Sequence, residues 1–237
     1  MLWMVSALLI VALGAAPTPA RADTAHLQPA LEEAMQLYYY GDSAEARARL
    51  AELAELGCAK AQSKLAGMRN TLPEEERQAH ALKWYRRAAE NRRADAQFFL
   101  GLAYDYGLWG LGPREYDEAR AWYRRAAEQG HPEAMLSLAS LSRDPVESYM
   151  WYVLAIPRFP PPTDRPAHGL GTDNQSREMA RQRRDQLAQY RTAEQIAEAE
   201  RLAAAWEVEH DYIRRMPETS DEPIPLWFNA VEGPCDD

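Results

Sequence analysis

The chain has 237 residues, 46% of them hydrophobic, with 27 Lys and Arg against 36 Asp and Glu and a formal net charge of −9. That size and apolar share suffice for one well-packed domain. The acidic balance argues against nucleic-acid binding, because phosphate contacts need a basic surface. The first element is an apolar run, residues 1–16, closed by Pro17-Thr18-Pro19 and then Ala20-Arg21-Ala22. The run is too short to cross a bilayer comfortably. Its Ala-x-Ala ending predicts a signal peptide over residues 1–22, cleaved after Ala22. No Lys or Arg precedes the run, which departs from the usual pattern and leaves an uncleaved anchor as the alternative. Arg21 is the one charged side chain in residues 1–22, so its removal takes the charge from −9 to −10. Only three basic residues are lysines, a usage typical of high-GC bacterial genomes. The expected location is therefore periplasmic or secreted.

Residues 23–58 read as an N-terminal helix pair with its turn at Gly41-Asp42. Self-similarity then begins. Ala81-x-x-Trp84-Tyr85-x-x-Ala88-Ala89-Glu90 recurs 38 residues later as Ala119-x-x-Trp122-Tyr123-x-x-Ala126-Ala127-Glu128, and more loosely around Trp151-Tyr152. The intervening segments match too: Ala59-Lys60-Ala61-Gln62, Ala94-Asp95-Ala96-Gln97 and Pro132-Glu133-Ala134-Met135, at offsets of 35 and 38. A period of this size predicts stacked helical hairpins. Each unit has a helix A rich in small residues and a helix B carrying the Trp-Tyr pair. Ala81, Trp84, Tyr85 and Ala88 fall at i, i+3, i+4 and i+7, one face of a helix. The small residues permit close approach and the rings are expected to fill the space between layers.

At these residues the chain resembles the Sel1-like repeat family, a branch of the tetratricopeptide-like solenoids. The fullest match is residues 94–130, with Ala94-x-Ala96, Leu100-Gly101, Tyr104-x-x-Gly107 and Asp117-x-Ala119-x-x-Trp122-Tyr123-x-x-Ala126-Ala127. In the first unit Met68 replaces the loop tyrosine. In the third, Ser142-Arg143-Asp144-Pro145 leaves almost no loop. The resemblance implies an all-α α/α solenoid with three repeats over residues 59–155 and a pair of C-terminal capping helices over 176–216. It also implies that helix A lines a concave groove that selects a protein partner. In register along helix A stand Gln62, Gln97 and Met135, and Lys64, Phe99 and Ser137. Tyr106 and Trp109 project from the long central loop. Gln62, Lys64, Gln97, Phe99, Tyr106 and Trp109 form the expected binding patch, with a core role for part of the set as the alternative.

Residues 156–175 contain Pro157, Pro160, Pro161, Pro162 and Pro166 with Gly169 and Gly171, a composition that forbids regular helix. They read as a surface loop or an extended partner-binding arm. Thr192 and Gln195 then form a capping-box pattern. Ile196, Ala199, Ala203, Trp206, His210 and Ile213 follow at spacings of 3 and 4, an apolar stripe suited to covering the open end of a stack. Residues 217–237 are an acidic tail whose Ile224, Leu226, Trp227 and Phe228 either dock on the solenoid or are presented to a partner. Cys58 and Cys235 either pair across the intervening chain or remain free thiols.

Motifs for chemistry are sparse. The sequence has no glycine-rich dinucleotide or phosphate loop and no Gly-x-Ser-x-Gly elbow. No two of the five histidines share the i, i+4 spacing of a metal-binding helix. Glu207, His210 and Asp211 share one turn but make a weak ligand set. Glu74, Glu75 and Glu76 follow Pro73 as a helix opening rather than an acid pair held across a cleft. The expectation is a non-catalytic adaptor of the bacterial envelope, with no cofactor, no metal and a protein or peptide partner. A cell-wall hydrolase and a glycan or small-ligand binder are the alternatives.

Overall fold

A computed structural model describes residues 25–68, 72–159, 173–210 and Cys235. The expected leader, most of the proline-rich segment, Asp211, Ile213 and the tail apart from Cys235 lie outside the described residues. Ten α helices and no strand occur among the described residues: α1 (Gln28–Tyr40), α2 (Ser43–Glu55), α3 (Ala59–Gly67), α4 (Glu74–Glu90), α5 (Ala94–Tyr106), α6 (Tyr116–Glu128), α7 (Pro132–Leu141), α8 (Pro145–Ala155), α9 (Asp173–Ala188) and α10 (Ala193–His210). From α1 to α8 each helix packs on the next, and both α9 and α10 pack on α8. This is the α/α solenoid that the period predicts, closed by its capping helices.

The helix boundaries follow from local chemistry. Asp42 caps α2, its Oδ1 accepting from the N–H groups of Ala44 at 2.6 Å and Glu45 at 3.1 Å. Asp144 caps α8 by accepting from Val146 N–H at 2.9 Å, so the third hairpin needs only a minimal turn. The predicted capping box is formed: Gln195 N–H donates to Thr192 Oγ1 at 3.3 Å, and Thr192 N–H donates to Gln195 Oε1 at 3.2 Å. Two boundaries differ from expectation. Helix α9 already begins at Asp173, within the segment expected to be loop. Residues 156–158 continue α8 as a 3-10 turn rather than opening the irregular segment. Pro157 is tolerated there because a tight terminal turn does not need its missing N–H.

Two apolar clusters hold the stack. The first joins residues of α1 to α5 with Cys235, and the second joins α6 to α10. Helix α5 is the seam, contributing Ala96 and Leu100 to the first and packing Phe98 and Leu102 against the second. Ala81, Trp84, Tyr85 and Ala88 are all buried, as are Tyr123 and Trp151. Trp122 is half-buried, packed against the first cluster with the Arg125 guanidinium 4.4 Å above its ring. On α10, Ala199 and Ala203 are buried while Ile196, Trp206 and His210 are half-buried, consistent with the predicted stripe.

Candidate functional site

The two glutamines of the expected patch lie inside the contact between hairpins. Gln62 Nε2 donates to the Ala54 carbonyl at 2.9 Å, and Gln62 Oε1 accepts from Asn91 Nδ2 at 3.0 Å. One unit later Gln97 Nε2 donates to the Ala89 carbonyl at 3.1 Å, and its Oε1 accepts from Gln129 Nε2 at 2.7 Å. Each glutamine thus satisfies an orphan carbonyl at the end of the preceding helix B and ties it to the end of its own. Both are buried, so this arrangement fits interlayer adhesion rather than contact with a partner. Met135 holds the same register in the third unit and is fully buried, so the ladder does not extend to that unit.

Phe99 and Trp109 are brought together on Tyr85. Trp109 stacks on the Tyr85 ring with centroids 4.9 Å apart and planes at 10°, and Phe99 meets the same ring at 4.9 Å. Phe98 turns the other way, to Tyr123 at 5.9 Å and His131 at 4.7 Å. The adjacent phenylalanines therefore serve two successive layers. The central loop folds back because Gly107 adopts φ 65°, where an added Cβ would lie 2.4 Å from the Gly112 carbonyl oxygen. Trp109 itself sits at φ 55°. Tyr106 remains 55% exposed beneath the Arg114 guanidinium, 5.5 Å from its ring.

Lys64 is half-buried, with its ammonium 6.0 Å from the ring centroids of both Tyr38 and Tyr39 on α1. Sequence reasoning missed those tyrosines; Tyr38-Tyr39-Tyr40 at the end of a helix was the available signal. Below Lys64 lies a buried polar knot. Asp95 accepts from Ser63 Oγ at 2.9 Å and from Arg93 Nε at 3.1 Å. Burial pushes the Asp95 carboxyl up, but Arg93, Lys64, Ser63 and His131 together outweigh it and hold the group below the usual carboxylate range. His131 caps α7 by accepting from Ala134 N–H at 3.3 Å. Burial lowers its pKa against the opposing pull of Glu133 and Asp95.

An open polar hollow of about 270 Å³ is lined by Ala54, Glu55, Gln62, Arg87, Glu90 and Asn91. Hydrogen bonds from Arg87 at 2.7 Å and Lys83 at 3.0 Å lower the Glu55 pKa. Beside it Cys58 and Cys235 form a disulfide with Cα atoms 4.6 Å apart, and Ala59 N–H donates to the Cys235 carbonyl at 3.0 Å. Among the described residues no group of three His, Cys, Asp or Glu could hold a metal ion. His210 instead stacks on Trp206 at 4.0 Å, and Glu207 pairs with Arg158 at 3.3 Å. No described helix is long and apolar enough to cross a membrane.

The paired helices, the recurrent buried rings and the glutamine ladder coincide with a known unit: residues 59–92, 94–131 and 133–156 each match the Sel1 repeat. Residues 59–156 form three Sel1 repeats. A protective antigen from uropathogenic Escherichia coli strains, displaying an SLR fold, is similar over 84% of this chain and 42% of its own, at 23% identity and a TM-score of 0.62. That likeness shows the fold alone. A Sel1 repeat protein from Oxalobacter formigenes is similar over 55% of this chain and 54% of its own, at 29% identity and a TM-score of 0.49. This chain thus spans less than two thirds of either protein's length. None of the curated proteins matches it. Sel1 repeats generally mediate protein–protein interaction and typically act as non-catalytic scaffolds.

Proposed function

We propose that this Sel1 stack is a non-catalytic adaptor of the bacterial envelope, which binds one protein or peptide partner along helices α1, α3 and α5 and the central loop. The observation that supports this reading is the distribution of side chains left accessible after packing. Rings and cations stand together at Lys64 with Tyr38 and Tyr39, and at Tyr106 with Arg114. Aromatic and arginine side chains are the groups that dominate protein interfaces. The residues that would supply acid–base chemistry are engaged elsewhere: Asp95 and His131 in the buried knot, Glu207 with Arg158. The glycan reading is weakened because Trp109, one of its two rings, is stacked on Tyr85.

Crosslinking in intact cells, with cell fractionation alongside, tests the proposal. The expected result is one partner enriched in the envelope fraction and lost in the Lys64→Glu and Tyr106→Ala double variant, with helical content unchanged. Recovery of the protein in the cytosol, or partner capture indifferent to both substitutions, would remove this reading.

A further inference from the structure

Trp109 holds its place against two penalties. Its backbone stands at φ 55°, a left-handed conformation that a bulky side chain rarely adopts. Its indole N–H is buried and finds no acceptor among the described residues. Buried N–H groups are almost always paired, so an orphan on a strained residue marks a conformation kept for another reason. The reason is the slot beneath the ring. The indole lies 4.9 Å from Tyr85 with planes at 10°, and Phe99 borders the same tyrosine at 4.9 Å. Stacking there offsets both penalties. The loop that carries Trp109 is pinned at its ends: Leu108 N–H donates to the Ala103 carbonyl at 2.8 Å, and Glu115 N–H to the Tyr104 carbonyl at 2.9 Å. Between the pins, Gly110 faces open space. A return of Trp109 to ordinary negative φ, absorbed at Gly110, would swing the ring out without disturbing α5 or α6.

We propose that the slot over Tyr85, beside Phe99, is a binding site for an aromatic side chain of a partner protein, tryptophan or tyrosine, and that Trp109 is its built-in plug. The seated indole defines the chemistry of the occupant: a flat ring that stacks on Tyr85. A partner's ring carries neither penalty. Its backbone stays outside the protein, and its N–H or O–H can face water at the rim. Displacement also lets the Trp109 backbone relax and its indole N–H reach solvent. In the parent protein the apparent affinity of the slot is reduced by the fraction of time the plug is out. The site rests on the adaptor reading for its partner, but its chemistry is measured with a free ring, so the two fail separately.

Titration of the full-length oxidised protein with N-acetyltryptophanamide provides the test. In protein carrying 5-fluorotryptophan, the Trp109→Phe variant assigns the Trp109 fluorine signal. Saturating probe is expected to move that signal to a solvent-exposed position, read by its H2O/D2O shift, while the signals of the buried Trp84 and Trp151 stay in place. Trp109→Gly, which accepts φ 55° without strain and removes the plug, is expected to bind the probe about tenfold tighter or more, with helical content unchanged. The fluorine measurement uses the parent chain, so it decides even where the variant does not fold. Probe binding that leaves Trp109 buried, equal affinity in parent and folded variant, or no binding to either would overturn the proposal. Displacement of Trp109 by the probe with no partner crosslinked in cells would remove the adaptor reading and keep the slot.

Discussion

Gly101 marks the closest approach of two helices in the stack, and Gly101→Ala measures how rigid that contact is. A Cβ built there would lie 2.6 Å from Tyr123 Cδ1 and 2.7 Å from Cε1, against the roughly 3.6 Å of ordinary carbon contact. The ring has nowhere to go: Tyr123 is fully buried, and its hydroxyl donates to Asp105 at 3.2 Å. Helices α5 and α6 must separate by about 1 Å, and overpacking of this kind costs about 1–3 kcal/mol. Replacing glycine by alanine inside a helix returns about 1 kcal/mol. The net loss expected is therefore up to about 2 kcal/mol, a lower urea midpoint with an unchanged slope. Gly67→Ala is the control, because its Cβ would meet only Tyr85 Oη at 3.7 Å. That variant should be neutral or slightly stabilised. A Gly101→Ala protein more stable than the parent by the full helix-propensity gain of about 1 kcal/mol would refute the close-packed reading of α5 against α6.

Gln97→Leu removes a buried donor to the Ala89 carbonyl and the acceptor for Gln129; a loss of about 1–3 kcal/mol is expected in chemical denaturation. His131 is held below the ordinary histidine value of 6.5 by burial, so the unfolded chain takes up its proton first as pH falls. Its contribution is complete above pH 6.5 and declines below it, and His131→Asn, which caps without titrating, should show a smaller drop in Tm between pH 7 and pH 5. Burial lowers the Arg158 pKa to about 10, and the Glu207 carboxylate opposes that loss of charge. Glu207→Gln removes a counter-charge from the buried guanidinium, with a cost of about 1–3 kcal/mol after allowing for partial exposure, seen as faster amide exchange along α10. The parent protein, denatured without reductant, should yield no alkylatable thiol, and reduction should lower its stability by about 2–5 kcal/mol.

The hairpin stack was legible because its signal is written many times: the Ala-Trp-Tyr-Ala face recurs, and each copy constrains the others. The Thr192–Gln195 cap was legible because two short side chains and two adjacent amides determine it locally. The candidate site was less so. Gln62 and Gln97 look like surface residues in sequence, and only the position of the preceding helix end turns them inward. In sequence Phe99 stands out as an aromatic in a small-residue helix and Trp109 as a ring carried by the long central loop. Their convergence on Tyr85, however, depends on where the loop folds back. Pairing of Cys58 with Cys235 rests on a meeting of chain ends that no local spacing encodes.

A linear array of repeats ordinarily unravels from whichever extremity is weaker, one unit at a time. Here the covalent link across 177 positions turns the row into a closed circuit. Mechanical force applied at the two termini would bypass residues 59–234, and extension beyond the first helical pair would require cleavage of a sulfur–sulfur bond. Such a shunt leaves the first helical pair as the part of the row that can peel away while the bond holds.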